Sequence, residues 1–443
     1  MASKDVPLCL KSELDHFSKS PIQTAMESSK YHSYLPVNNN LKSDTITWEI
    51  AATPDEAIDL AHSQLLLSVC VRKLDDTNPA AQAPFGVVNL VSRSIFSGHE
   101  LSLNGEAVSS MPSLSHVAAY IEYLLNYSSA GQSQLVDSGW ILDEAGALDN
   151  VSVTAPAANP GYNINSHMLK RREWLTTGAN LHLTCKVPSD LANQSLLIPP
   201  KVDMKLVLTR SKDKFVLLSD EANLGYKIVI QAASLKLRKV KLDPEFLIAH
   251  ELMLQKRNAM IHFTESNITE ITIPSGSSFF SRDDIMRGYI PKTLVMGFVD
   301  SQALSGDHKK NPYNFQHCFV SQIGTFVNGD AIPSKPLQLQ PTLGVYRDAY
   351  NSLLETSGRL FKDTSLCFKS EDWPIGFGLF AFSLEPDHLD GSCMNAHRKG
   401  VLGITINFST PTTQTYSLIL YTNRNSLIEI DAHRNVFVPY KRM

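Results

Sequence analysis

Asn104-Gly105-Glu106-Ala107-Val108 recurs in the second half of the chain as Asn328-Gly329-Asp330-Ala331-Ile332. Asn-Gly supplies the two positive-φ positions of a type I′ turn, whose twist matches that of the strands it joins. Each copy therefore reads as a strand hairpin. Upstream of each lies an apolar pair, Ile95-Phe96 in one and Phe319-Val320 in the other. Downstream of each lies a helical pattern, with Leu114, Val117, Ile121 and Leu124 in the first copy and Leu343, Tyr346, Tyr350 and Leu353 in the second. A hairpin followed by a helix, twice, predicts two equivalent barrels.

The rest of the chain is organised around that duplication. At 443 residues it is long for a single core, and two or three domains are expected. Residues 1–40 are polar and broken by Pro21, Pro36 and Asn38-Asn39-Asn40, which reads as an arm. Leu14, Phe17 and Ile22 are its apolar anchors, and the arm is expected to order only against neighbouring subunits. A first barrel is expected over 41–225. It includes the alternating run Thr45–Ile50, the apolar run Gln64–Val71 and a long Ala, Ser, Gly and Asn-rich stretch over 128–178 that reads as an extended surface loop or a contact element. A second barrel is expected over 226–443. There Tyr226–Val240 is strand-like, and Asp243-Pro244-Glu245 carries the N-cap, proline and first-turn acid of a helix start. Short strands punctuated by Pro, Gly and Asn point to antiparallel sandwiches such as the jelly roll.

Charge and motifs exclude several classes of function. A net charge of −4 argues against a protein that coats nucleic acid, and no sequence-specific nucleic-acid site is expected. Lys170-Arg171-Arg172 reads as a loop, and Lys236, Arg238, Lys239 and Lys241 lie along a strand on which Lys236 and Arg238 share a face that reads as solvated. No apolar run is long enough to span a membrane, and Met1–Lys19 lacks the apolar core of a secretory signal. The six cysteines are scattered without a Cys-x-x-Cys pair and read as reduced thiols. Five Asn-x-Ser/Thr sequons, at Asn126, Asn150, Asn193, Asn267 and Asn407, read as chance.

Catalytic chemistry is equally sparse. His250-Glu251 lacks the second histidine of a zinc helix, because Leu254 stands in its place. Cys393 and His397 are only two ligands, and Asp283-Asp284 reads as a solvated helix start. Neither a nucleophile elbow, a P-loop nor a Rossmann fingerprint is present. No enzyme, cofactor or metal is expected.

Six segments carry a resemblance: Lys11-Ser12-Glu13-Leu14-Asp15-His16-Phe17, Arg210-Ser211-Lys212-Asp213-Lys214-Phe215, Arg238-Lys239-Val240, Lys310-Asn311-Pro312-Tyr313-Asn314-Phe315, Phe380-Ala381-Phe382-Ser383-Leu384-Glu385-Pro386-Asp387 and Asn425-Ser426-Leu427-Ile428-Glu429-Ile430-Asp431. In order and spacing they resemble the major capsid proteins of Polinton (Maverick) elements and adintovirus-like viruses, over about residues 11–440. His16 departs from that family's pattern, where a second apolar residue stands, and the loop around Cys393 is more elaborate.

The resemblance implies an all-β chain with a few short helices, folded as two tandem eight-stranded antiparallel jelly rolls. It implies a homotrimer forming a pseudo-hexagonal tile of the icosahedral virion shell of a double-stranded DNA virus, assembled inside the host cell, with a penton or minor capsid protein at the vertices. On that view residues 128–178 would form the crown of the tile. Ile95-Phe96 would face Phe319-Val320 of a neighbour. Two rival readings are a glycan-binding β-sandwich using Trp140, Trp174 and Trp373 on loops, and a minor vertex protein, which would need only one jelly roll.

Overall fold

The computed structural model describes residues 22–37, 41–153, 163–340, 343–386 and 394–440. Its first half contains eight principal strands: β1 (Met26–Tyr34), β2 (Thr45–Ile50), β3 (Glu56–Lys73), β4 (Phe96–Leu103), β5 (Glu106–Met111), β6 (Leu181–Lys186), β7 (Met204–Arg210) and β8 (Tyr226–Leu242). They form two antiparallel sheets, ordered β1-β8-β3-β6 and β2-β7-β4-β5. The second half repeats the set as β9 (Ala259–Ile273), β10 (Phe279–Tyr289), β11 (Thr293–Asp300), β12 (Val320–Val327), β13 (Asp330–Gln338), β14 (Leu379–Ser383), β15 (Lys399–Phe408) and β16 (Tyr416–Ile430). Its sheets run β9-β16-β11-β14 and β10-β15-β12-β13. Adding eight to every strand of the first half gives the order in the second. The chain is a double jelly roll.

The alternation of Thr45–Ile50 buries Ile46, Trp48 and Ile50 on one face of β2. β11 is buried at every position, as a central strand covered on both faces must be. Both Asn-Gly pairs are hairpin tips. Asn104 and Gly105 have φ of 48° and 84° between β4 and β5, and Asn328 and Gly329 have φ of 54° and 92° between β12 and β13. A Cβ on either glycine would meet nothing within 4 Å, so only the backbone opposes a side chain there. Gly105→Ala and Gly329→Ala should each cost about 1 kcal/mol in urea denaturation, and nearly equally. A loss at one site but not the other would show that the tips are not equivalent. Helix α1 (Ser115–Asn126) follows the first hairpin, α2 (Ser166–Glu173) lies within the long connection, α3 (Pro244–Leu254) joins the halves and α4 (Arg347–Thr356) follows the second hairpin.

Four expectations are corrected. Met26–Tyr34, expected in the arm, forms the edge strand β1; its polar side chains suit a strand held by main-chain pairing to β8 with both faces wet. Leu14 and Phe17 lie outside the described residues, and Ile22 is 82% exposed. The boundary expected at 225/226 falls instead near Asp243, because β8 pairs with β1 and β3 of the first half. The 128–178 connection is no simple surface loop: Trp140, Leu148, Met168 and Leu175 are buried. Asp283-Asp284 lies in β10 at a break in register between Arg282 and Met286, not at a helix start.

Candidate assembly surfaces

Among the described residues no group of three or more His, Cys, Asp or Glu is placed to hold a metal. No helix among them is long and apolar enough to cross a membrane. His250 and Glu251 sit on α3, where Glu251 pairs with Lys201 and Arg434. Cys393 lies outside the described residues, while the His397 ring packs on Tyr440 at 3.9 Å.

The two hairpin tips are anchored alike. Asn104 Oδ1 accepts the Asp203 N–H at 2.7 Å and the Asn104 N–H donates to Asp203 O; Asn328 Oδ1 accepts the Val401 N–H at 2.9 Å and the Asn328 N–H donates to Val401 O. Each asparagine thus clamps the chain at the start of the adjacent strand, β7 or β15. The first tip does one thing more. Asn104 Nδ2 donates to Arg434 O at 2.7 Å, reaching from the first barrel to the second.

That bridge belongs to an extensive contact between the barrels. Tyr313 stacks on Tyr120 of α1 at 4.1 Å and meets Ser94 Oγ at 2.5 Å. Asp149 accepts the Asn311 N–H at 2.9 Å and Asn314 Nδ2 at 2.5 Å, so the long connection of the first half grips the second. The turn after β6 approaches the outer edge of β9, where Asp190 Oδ2 accepts the Ser266 N–H at 3.1 Å. Burial, with Glu122 and Glu265 nearby, pushes the Asp190 carboxyl up to about 7. The apolar core is one continuous body through both barrels.

Basic residues singled out in the sequence are absorbed by the fold. Arg171 is fully buried on α2, pairing with Asp143 at 2.5 Å and donating to the carbonyls of Val87 and Ile141. Arg172 donates to Ala81 O. Lys170-Arg171-Arg172 is thus helical and largely internal, contrary to the loop expectation. On β8, Arg238 pairs with Asp59, Lys241 with Glu27, and the buried Lys239 with Glu56, so the basic residues of this strand are more enclosed than expected. Trp140 and Trp373 are buried in the core, which removes two of the three aromatics a glycan reader would need; Trp174 is half-buried.

The free edges differ in kind. β13 carries Pro333 and Pro336, which lack the N–H donors another strand would need. β10 carries Arg282, Asp283, Asp284 and Arg287 on its exposed run. By contrast β1 presents an exposed edge without proline. It holds in the first barrel the position that β9 holds in the second. Of the apolar pairs flanking the hairpins, Ile95, Phe96 and Val320 are core residues and Phe319 alone is exposed, so the expected pairing of Ile95-Phe96 with a neighbour is wrong.

No family model matches the chain. In sequence it is 21% identical over 366 residues to F54H12.2, an uncharacterized protein of Caenorhabditis elegans, covering 80% of this chain and 82% of that one. In structure it is similar to the 3.5 Å cryo-EM structure of the Sputnik virophage, with TM-score 0.63, 10% identity, and coverage of 98% of this chain and 93% of that one. PBCV-1 VP54 gives TM-score 0.58 at 10% identity, covering 96% of this chain and all of that one. The Faustovirus major capsid protein gives TM-score 0.55 at 9% identity, covering 96% and 92%. The structural neighbours are double jelly-roll major capsid proteins. At such low identity the likeness is one of fold.

Proposed function

We propose that this chain is the major capsid protein of a double-stranded DNA virus of the Polinton or adintovirus-like kind. Three copies make a pseudo-hexagonal tile, and the tiles close an icosahedral shell whose vertices hold a separate penton protein. The working location is the virion, and the role is mechanical, without a catalytic step or cofactor. Each copy divides into an N-terminal arm before Met26, a first barrel ending at Leu242 and a second barrel from Ala259.

The observation that carries this reading is an unequal pair of equivalent edges. Within one chain the flank of the first barrel, at Asp190, lies against the middle of β9 of the second, at Ser266. The matching edge of the first barrel, β1, is covered by none of the described residues and is exposed along most of its length. If the second barrel of the next copy repeats on β1 what the first barrel does on β9, the contact is heterologous and the ring closes after three chains. A glycan-binding sandwich offers no use for such a repeat, and a vertex protein needs only one barrel.

The polar arm then serves to join tiles. Because β1 begins at Met26, the informative deletion is residues 2–21, which leaves the strand intact. By negative-stain microscopy the full chain should form closed shells, and the deletion variant should yield folded tiles with few or no shells. Normal shells from the deletion variant would refute the arm's role.

A further inference from the structure

Helix α3 is apolar on almost every side, yet it lies on the surface. Of its residues only Leu254 is buried, while Phe246, Ile248 and Leu252 are 41%, 63% and 54% exposed. Its orientation is fixed. Leu247 leans on Ala57, Val240 and Leu242, and Glu251 is held by Lys201 and Arg434. Phe246, His250 and Met253 follow at helical spacing on an outward side, and His250, Met253 and Met260 line a cleft of about 310 Å³. A surface helix ordinarily turns a polar face to water, and an apolar patch in its place marks a contact.

We propose that α3 and its cleft receive residues 6–17 of a neighbouring copy's N-terminal segment. The proposal rests on the assembly reading for the presence of that neighbour. Three observations select the occupant. First, the segment joins the body beside this helix, because the N–H of Asp243, the α3 N-cap, donates to Ala25 O at 3.0 Å. In a ring of copies every arm and every α3 therefore lie at the same end. Second, Ile22, where the described chain begins, is 82% exposed and does not itself pack on this helix. Third, the segment carries the right chemistry: Leu10, Leu14 and Phe17 fall at i, i+4 and i+7, an apolar stripe of the kind that packs into a helical groove.

Two measurements test this. In the first, Phe246 is replaced by the photocrosslinker benzoylphenylalanine in unlabelled protein, which is unfolded and refolded together with an excess of ¹⁵N-labelled wild-type chain so that mixed assemblies form, and irradiated. The expected product joins a light α3 peptide to a heavy peptide from residues 1–21. Links confined to light–light pairs would mean that each arm covers its own helix, and links to any other region would mean another occupant; either result overturns the proposal. In the second, a synthetic peptide of residues 2–21 is titrated into protein lacking those residues, with no assembly required. Saturable binding is expected, weakened about ten-fold or more by Phe246→Ser with Leu252→Ser, both exposed positions that the fold tolerates. No binding, or equal binding by the variant, rejects the proposal whether or not shells form. Vesicles of anionic phospholipid binding through α3 in competition with the peptide would assign the face to a membrane and overturn it as well.

Discussion

Arg171→Ala should be the most damaging single substitution in the first barrel, lowering unfolding free energy by about 3–5 kcal/mol. The guanidinium and the Asp143 carboxylate are both fully shielded from solvent, and the ion pair is supported by Asn165 Nδ2 on Asp143 Oδ1 at 2.9 Å. Removing the arginine leaves Asp143 buried with one amide for company and strands the carbonyls of Val87 and Ile141. The cost comes from the charge left behind rather than from the pair itself. Replacing both partners, Arg171→Met with Asp143→Leu, should therefore recover most of the loss. Urea denaturation of the two variants measures this; a double variant as unstable as the single one would show that the arginine acts mainly through packing.

Asp190→Asn should act in the opposite direction. The folded carboxyl titrates near 7 against an ordinary value of 3.8, chiefly because burial penalises its charge. Between those two values the folded chain keeps a proton that the unfolded chain has lost. Wild-type stability should consequently fall as pH rises through that window and level off above about pH 7. An asparagine carries no such penalty and still offers an oxygen to the Ser266 N–H. The variant's advantage over wild type should grow by on the order of 2–3 kcal/mol between about pH 5 and pH 8. Parallel denaturation curves at the two pH values read this directly, and an advantage independent of pH would mean that Asp190 is already ionised in the fold.

Asp190 also marks the limit of what sequence could show. Val187-Pro188-Ser189-Asp190 has no motif or periodicity, and its importance arises from β9, more than seventy residues away. The hairpins were legible because Asn-Gly specifies its own backbone. The α3 start was legible for a similar reason, since Asp243 accepts the N–H groups of Glu245 and Phe246 and Pro244 holds the first position. Local chemistry settles local structure. β1 was missed because Ser28, Ser29, Lys30 and Ser33 alternate nothing apolar, and its place depends on backbone pairing with β8. β8 itself reads as a strand in sequence, but the barrel it joins is not legible there, since partner choice in a sheet is non-local. The long connection looked like surface because its small and polar residues hid the few that matter, Trp140, Met168 and Arg171.

On this reading the chain is built to close a ring of three. Permanent interfaces of that kind bury on the order of 2,000 Å² or more and persist on dilution. Mass photometry of the purified protein at nanomolar concentration tests it most directly. A dominant species at three times the chain mass of 49.1 kDa is expected. A single population at the monomer mass, with β1 left uncovered in solution, would contradict it.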